Sequence, residues 1–304
     1  MDMPESLARQ AARDDLAQAY RDNGFVVVEG VLDDAELRAL EADLIRLARG
    51  GYPTPRLEPV PDTVSDAGAL KRILCIHMPH VVSPTIRQYT THPDLAAVLG
   101  QVVGAHLQPG HWNGGVKCMQ SMFFAKPPGK PGQAWHQDEA FIPTRDRSLC
   151  GAWIAIDDAT VDNGCLRVIP GSHQEGVLYP FKDHGAPESF DATPESYGFD
   201  ASNEVAIEMR RGSVLFFNGY LLHRSLPNTS DRYRRALVCH YMSTQSPLHW
   251  CLDEALEGGG KHESDNRSVH IVCGEDPYAH LGYTTPADAV YLRAYADDGA
   301  SGAD

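Results

Sequence analysis

Apolar positions near the start of the chain recur with a helical period. Leu7, Ala11, Leu16, Ala17 and Tyr20 predict one helix that stops at Asn23-Gly24. Leu37, Leu40, Leu44 and Leu47 form the stripe of a second, begun at Asp33-Asp34 and ended by Gly50-Gly51. Between them Phe25 to Val28 is a β-branched run that reads as a strand. Residues 52–70 carry prolines and no period, which predicts a surface loop, and a third helix is expected over Leu95 to Val103 behind His92-Pro93-Asp94. From about Val116 to Met242 the pattern changes. Short runs rich in Val, Ile, Phe, Trp and Tyr alternate with turn clusters such as Pro127-Pro128-Gly129, Pro170-Gly171-Ser172 and Pro227-Asn228. This alternation predicts a mainly β sandwich or jelly roll, braced by the N-terminal α-helices. Asn163-Gly164, between Trp153–Ala159 and Cys165–Ile169, predicts a tight hairpin with a type I′ turn.

The expected organisation is a single domain over residues 1–304. It comprises a helical brace with the first strands (1–110), a jelly-roll core (116–242) interrupted by a polar insert (174–203), and a C-terminal extension (243–304) ending in an acidic tail. Inserts of that length act as lids or functional loops, or simply decorate the surface.

Composition narrows the function classes. Of 304 residues 42% are hydrophobic, enough for a sizeable core, and 41 acidic against 26 basic residues give a formal charge of −15. Such a field repels polyanions and disfavours nucleic-acid and anionic-membrane partners. No secretory leader pattern opens the sequence, and no apolar run approaches the roughly 18 residues of a membrane span. The seven cysteines (Cys75, Cys118, Cys150, Cys165, Cys239, Cys251, Cys273) are odd in number and include no C-x-x-C, which fits reduced thiols rather than a disulfide framework or zinc knuckle. A soluble, cytoplasmic protein that works on small molecules is expected, with its oligomeric state open.

The chemistry concentrates in two segments. In Trp135-His136-Gln137-Asp138 the imidazole and carboxylate stand at i and i+2, so on a strand both face one side. His223 follows 87 residues after His136, at the end of a buried-looking strand. Arg234 comes eleven residues later, beyond Pro227 to Asp231, which is expected to turn a hairpin that returns the arginine beside the histidine. Two histidines and one carboxylate make a facial triad with open coordination positions, the arrangement of non-haem Fe(II) oxygenases, and a nearby arginine makes a bidentate carboxylate clamp. Two further pairs compete. His92-Pro93-Asp94 reads as a helix start, and His173-x-Glu175 lies past a Pro-Gly-Ser turn where backbone direction is less fixed. His77, His80 and His240 have no spacing that demands metal, although His77 and His80 are placed to face a substrate.

These blocks, together with Gln120-Ser-Met-Phe-Phe, Trp153-Ile-Ala-Ile-Asp-Asp-Ala-Thr160, Asn163-Gly-Cys-Leu166, Ile169-Pro-Gly-Ser-His173, His223-Arg-Ser225 and Arg234-Arg-Ala236, resemble the phytanoyl-CoA dioxygenase family of Fe(II)/2-oxoglutarate-dependent dioxygenases over most of the chain. The resemblance implies a double-stranded β-helix of cupin-like jelly-roll form. It implies that His136, Asp138 and His223 hold iron and that Arg234, rather than Arg235, clamps the distal carboxylate of 2-oxoglutarate beside Ser225. Lys71, Met122 and Trp153 match positions that line the co-substrate pocket in relatives. It further implies consumption of O2 and 2-oxoglutarate, release of succinate and CO2, and hydroxylation of an unactivated C–H bond. Asp138 argues against halogenation, since halogenases of the superfamily have a small residue there; desaturation, cyclisation and epimerisation use the same triad. The acidic chain favours a small metabolite or natural-product intermediate over an acyl-CoA thioester. A divalent-metal hydrolase or lyase and a silent metal-binding module on the same fold are the rivals from other classes.

Overall fold

The leucine stripe near the N-terminus needs an apolar face to cover, and a large antiparallel sheet supplies it. In the computed structural model, which describes residues 16–247, 269–283 and 287–295, helix α1 (Leu16–Asn23) stops where Gly24 takes φ +82° and its N–H donates to the Tyr20 carbonyl. Strand β1 (Phe25–Val28) follows. Helix α2 (Asp34–Ala48) opens on a full capping box: Asp33 accepts from the Ala35 and Glu36 N–H groups while the Glu36 carboxylate accepts from the Asp33 N–H. Leu37, Leu40, Leu44 and Leu47 are all fully buried, each stabilising the fold by about 1.5–3 kcal/mol. The expected positions Leu7 and Ala11, Cys251 and the acidic tail lie outside the described residues.

The loop expected over 52–70 is shorter than the prolines suggested, because Ser65 Oγ accepts from the Gly68 N–H and starts helix α3 (Asp66–Lys71). Strand β2 (Ile73–His77), helix α4 (Pro84–Thr90) and helix α5 (Pro93–Val102) come next. The first helices of this region use one device: Ser83 and His92 accept from a first-turn N–H just ahead of Pro84 and Pro93. His92-Pro93-Asp94 is therefore a helix cap, as its pattern indicated.

The remaining strands are β3 (Val116–Lys126), β4 (Gln133–His136), β5 (Cys150–Ala155), β6 (Leu166–Val168), β7 (Phe181–Lys182), β8 (Glu195–Ser196), β9 (Val205–Ile207), β10 (Val214–Asn218), β11 (His223–Ser225), β12 (Arg234–Ser243), β13 (His270–Cys273) and β14 (Tyr291–Ala294). A major sheet runs β1-β10-β5-β12-β3-β2-β14, with β13 also on β3, and a minor sheet runs β4-β11-β6-β9. The outer face of the major sheet carries Phe123, Ala125, Leu237 and Cys239 against the helices. The inner face, with Trp153, Ala236 and Val238, meets Val168 and Ile207 of the minor sheet. This is the expected jelly roll braced by helices. Among the described residues the cysteines are all unpaired, and no helix is long and apolar enough to cross a membrane.

Two expected hairpins are not hairpins. β5 pairs with β10 and β12, whereas β6 pairs with β11 and β9, so Asn163-Gly164 carries the chain from one sheet to the other. A type I′ turn needs positive φ at both central residues, and of this pair only Gly164 has it, at +79°. Likewise β11 and β12 belong to different sheets, and Pro227 to Asp231 is a crossover. In both places local turn chemistry was legible, but strand pairing was decided by which apolar faces the sandwich had to bury.

Gly164 serves the interior directly. A Cβ there would lie 2.4 Å from the Leu226 carbonyl oxygen and 2.9 Å from Lys126 Nζ. Gly164→Ala is expected to cost about 2–4 kcal/mol in denaturant unfolding, from backbone strain plus overpacking. Gly129→Ala, at a similar φ of +76° with nothing within 4 Å, should cost only about 1 kcal/mol.

Candidate active site

The inner ends of β4 and β11 are neighbours, and His136 is directly opposite His223 in their register. Each ring is fixed the same way: His136 Nδ1 is 2.8 Å from the Ala134 carbonyl oxygen and His223 Nδ1 is 2.9 Å from that of Leu221. A carbonyl only accepts, so both Nδ1 atoms carry the proton and both Nε2 atoms present lone pairs. The two Nε2 atoms each lie 3.6 Å from Asp138 Oδ1. Asp138 is not on the strand, as its spacing from His136 suggested. β4 ends at His136, and Asp138 opens a short 3-10 turn, Asp138–Ala140, that swings its carboxylate between the rings. Together these atoms lie within 4.8 Å of one another, and they form the one cluster of metal-ligating side chains found among the described residues.

His240, which spacing gave no metal role, completes the cluster from the other sheet: its Nε2 is 2.9 Å from Asp138 Oδ2. Burial alone would raise the Asp138 pKa, but His223, His240 and His136 outweigh it and hold the carboxyl well below the usual range. Burial, helped by His136 and opposed by Asp138, pushes His223 down to about 4. Next in the chain, Glu139 is buried and pushed up to about 7, against two hydrogen bonds from Thr144.

A cavity runs from these ligands to Arg234. The inner row of β12 is Arg234, Ala236, Val238, His240, so two small residues leave a slot between the guanidinium and the triad. Arg234 is buried, its Nε has no hydrogen-bond partner among the described residues, and its Cζ is 5.4 Å from the centre of the Trp153 ring. Directly opposite on β3 sits buried Lys126, whose Nζ donates to Ser225 Oγ at 2.9 Å and to the Leu226 carbonyl at 2.7 Å. Burial and then Arg234 depress the Lys126 pKa far below its ordinary value. Two buried cations opposed without an ion-paired carboxylate on either among the described residues are costly, and an anion between them removes that cost.

Met122, Trp153, Ser225 and Arg234 all border this cavity, as do Lys126 and His240. Lys71 does not. It ends α3 with its side chain exposed, because the helix places it on the outer face of the brace; Lys126 is the lysine beside the cavity. Lys126 could have been found from the alternation of β3, since Met122, Phe124 and Lys126 share a face. His240 shares the face of Arg234 in the same way. Arg235, pointing outward, pairs with Asp157 and Glu41. His173 Nε2 donates to the Arg21 carbonyl at 3.0 Å, and His173 does not border the cavity. His80 sits on the helix side of the major sheet, with Nδ1 2.6 Å from Ser121 Oγ. The insert reaches the cavity through Asp191, anchored by its N–H to the Gly132 carbonyl.

A model of the family described as phytanoyl-CoA dioxygenase matches residues 20–236. A phytanoyl-CoA dioxygenase of Arabidopsis thaliana is 37% identical over 46% of this chain and 48% of its own length, so the chain matches about half of that relative. A phytanoyl-CoA dioxygenase domain-containing protein 1 homologue of Caenorhabditis briggsae is 26% identical over 83% of this chain and 98% of its own. Among solved structures, the non-haem α-ketoglutarate-dependent carbocyclase SnoK of nogalamycin biosynthesis superposes with a TM-score of 0.61 at 20% identity, covering 87% of this chain and 97% of that one. EvdO2 from Micromonospora carbonacea var. aurantiaca, in complex with 2-oxoglutarate, gives 0.56 at 22% identity over 82% and 95%. Both likenesses are of fold.

Two measurements check the site's electrostatics. His240→Leu leaves Asp138 Oδ2 without its donor and should weaken Fe(II) binding about 10–100-fold, as for other groups that orient a ligand, read by competition with a chromophoric chelator. The metal-free protein should also lose stability as pH falls from about 6.5. His77, pushed to about 3 by burial, and His223, at about 4, stay neutral in the fold but take up protons in the unfolded chain. Each contributes up to about 1.4 kcal/mol per pH unit until its folded pKa is reached. Glu139 works the other way between about 4.5 and 7, because the fold holds its proton. Glu139→Gln should therefore make the acid side of the stability profile steeper.

Proposed function

The chain belongs to the phytanoyl-CoA dioxygenase family, and on that premise we propose that it is a non-haem Fe(II)- and 2-oxoglutarate-dependent dioxygenase. Its reaction is hydroxylation of an unactivated C–H bond of a small metabolite or natural-product intermediate, with release of succinate and CO2. The observation that carries this reading is the pairing, within one cavity, of an open His-His-Asp ligand set with a buried guanidinium whose Nε has no hydrogen-bond partner among the described residues.

The residues present fit the groups the family uses. His136 Nε2, His223 Nε2 and Asp138 would hold Fe(II), whose role when bound is to couple decarboxylation of 2-oxoglutarate to attack by O2 on the substrate. Three protein ligands leave room for a chelating co-substrate. Arg234 takes the distal carboxylate, with Ser225 beside it, and Lys126 supplies the second positive charge and sets the direction of Ser225 Oγ. Met122 and Trp153, which line the same cavity, would border the co-substrate when it is bound. His240 keeps Asp138 ionised and fixed.

In this reading residues 1–304 act as one dioxygenase domain. A formal charge of −15 supports a small-molecule substrate over a nucleic acid. Six unpaired cysteines among the described residues support a reducing, cytoplasmic setting. Arg234 and Lys126 count against a hydrolytic metal site, which has no use for a carboxylate clamp, and against a silent module, for which two opposed buried cations are only a cost.

Adding Fe(II) and 2-oxoglutarate to the metal-free protein without oxygen should produce the visible charge-transfer band of the chelate. His223→Ala should abolish the band, and Arg234→Ala should weaken 2-oxoglutarate binding by about 2–5 kcal/mol, more than tenfold, while leaving Fe(II) bound. Absence of the band in protein shown to hold metal sinks the dioxygenase reading.

A further inference from the structure

The face of the major sheet that borders the cavity carries polar atoms for which iron and co-substrate have no use. His240 stands opposite Gln120 across β12 and β3, and His77 stands opposite Met122 across β2 and β3. Directly opposed residues of antiparallel strands share a face. Met122 and His240 border the cavity, so His77 and Gln120 lie on that same side. His77 Nε2, Gln120 Oε1 and His240 Nδ1 are all shut off from solvent without a hydrogen bond among the described residues. The two histidines are 7% and 3% exposed. Buried polar atoms are paired in nine cases of ten or more, so three orphans on three adjacent strands, all on the ligand side, mark a place built for a polar partner.

The chemistry of the partner follows from the atoms. Gln120 Oε1 can only accept, so its partner must donate, whereas the orphaned ring nitrogens of His77 and His240 take either role according to tautomer. Burial, with Arg293 and His240 adding to it, keeps His77 uncharged down to about pH 3. Arg293 itself faces Asp191, at 3.4 Å. A hydroxyl both donates and accepts, so it suits Gln120 Oε1 together with either ring, whereas a saturated acyl chain would leave all three atoms unpaired.

We propose that His77, Gln120 and His240 form the specificity-determining subsite of the enzyme, and that it selects a neutral, hydroxyl-bearing substrate rather than a saturated acyl chain. The inference rests on the dioxygenase reading above and adds the substrate class to it. A site built to hydrogen-bond an O–H rejects analogues that lack one far more strongly than an apolar pocket rejects an added one. His240 also positions Asp138, so the test falls on His77 and Gln120.

The anaerobic Fe(II)·2-oxoglutarate band is measured first, in wild type, His77→Leu and Gln120→Leu. Loss of the band in wild type overturns the dioxygenase reading and this inference with it. Where it forms, succinate release is measured with neutral hydroxylated rings (cyclitols, methyl glycosides, hydroxylated polyketide rings) and with unsubstituted saturated fatty acids and their CoA thioesters. A hydroxylated probe should stimulate succinate release at least about tenfold more than any saturated acid. Each leucine variant should raise the KM for that probe on the order of five- to tenfold, with the chelate band and thermal midpoint retained, and His77→Gln should restore part of the loss. Should His77→Leu fail to fold, half-buried Gln120 carries the test alone. Stimulation by saturated acids equal to that by the best hydroxylated probe, stimulation by none of the hydroxylated probes, or an unchanged KM in folded leucine variants overturns the proposal.

Discussion

The Asp138 carboxylate is the junction on which the site depends. One oxygen faces two imidazole nitrogens from the minor sheet, and the other accepts from a third imidazole on the major sheet. A carboxylate this buried is expensive unless it is paired and hydrogen-bonded. Here the three histidines that meet the cost are brought by β4, β11 and β12, so the same contact that stabilises the charge also fixes the separation of the two sheets. The rings are fixed in turn by backbone carbonyls two residues upstream, which leaves both ligand nitrogens pointing inward.

At the other end of the cavity the charge is reversed. Arg234 and Lys126 face each other across a strand pair in a protein whose formal charge is −15. The net acidity of the chain and the cationic end of the cavity are separate features, and under the proposed reading it is the second that receives the small dianionic co-substrate. Gly164 and Ser225 make the second feature possible, the glycine by leaving room for the lysine ammonium and the serine by accepting its hydrogen bond. Outside the sandwich, Arg235 shows what the same residue type does when it points the other way, pairing with Asp157 and Glu41.

Much of this was legible in the chain. The helices were announced by their stripes and caps, and the capping box at Asp33 with Glu36 is a local arrangement that needs no tertiary partner. The triad and Arg234 were legible because their spacing and neighbouring blocks resemble a known family. Helix α4 was missed because its cap Ser83 is only five residues past a tight turn at Met78 and its apolar positions are few. Lys71 was misplaced because a resemblance transfers the residue type without the direction of its side chain. Lys126 and His240 were overlooked although β-strand alternation puts them on the same face as residues already singled out.

What the sequence determined by itself is whatever depends on near neighbours: helix ends, strand runs, turn positions and the order of the ligand blocks. Strand pairing belonged to the tertiary structure. Asn163-Gly164 and Pro227 to Asp231 are turns in either account, yet the segments they join enter different sheets. The reason is physical. A turn fixes a change of direction over a few residues, but pairing is chosen by which apolar faces can be buried together, and that depends on strands more than a hundred residues apart. The contact between His240 and Asp138 spans 102 positions, and no local rule connects them until the two sheets close on one another.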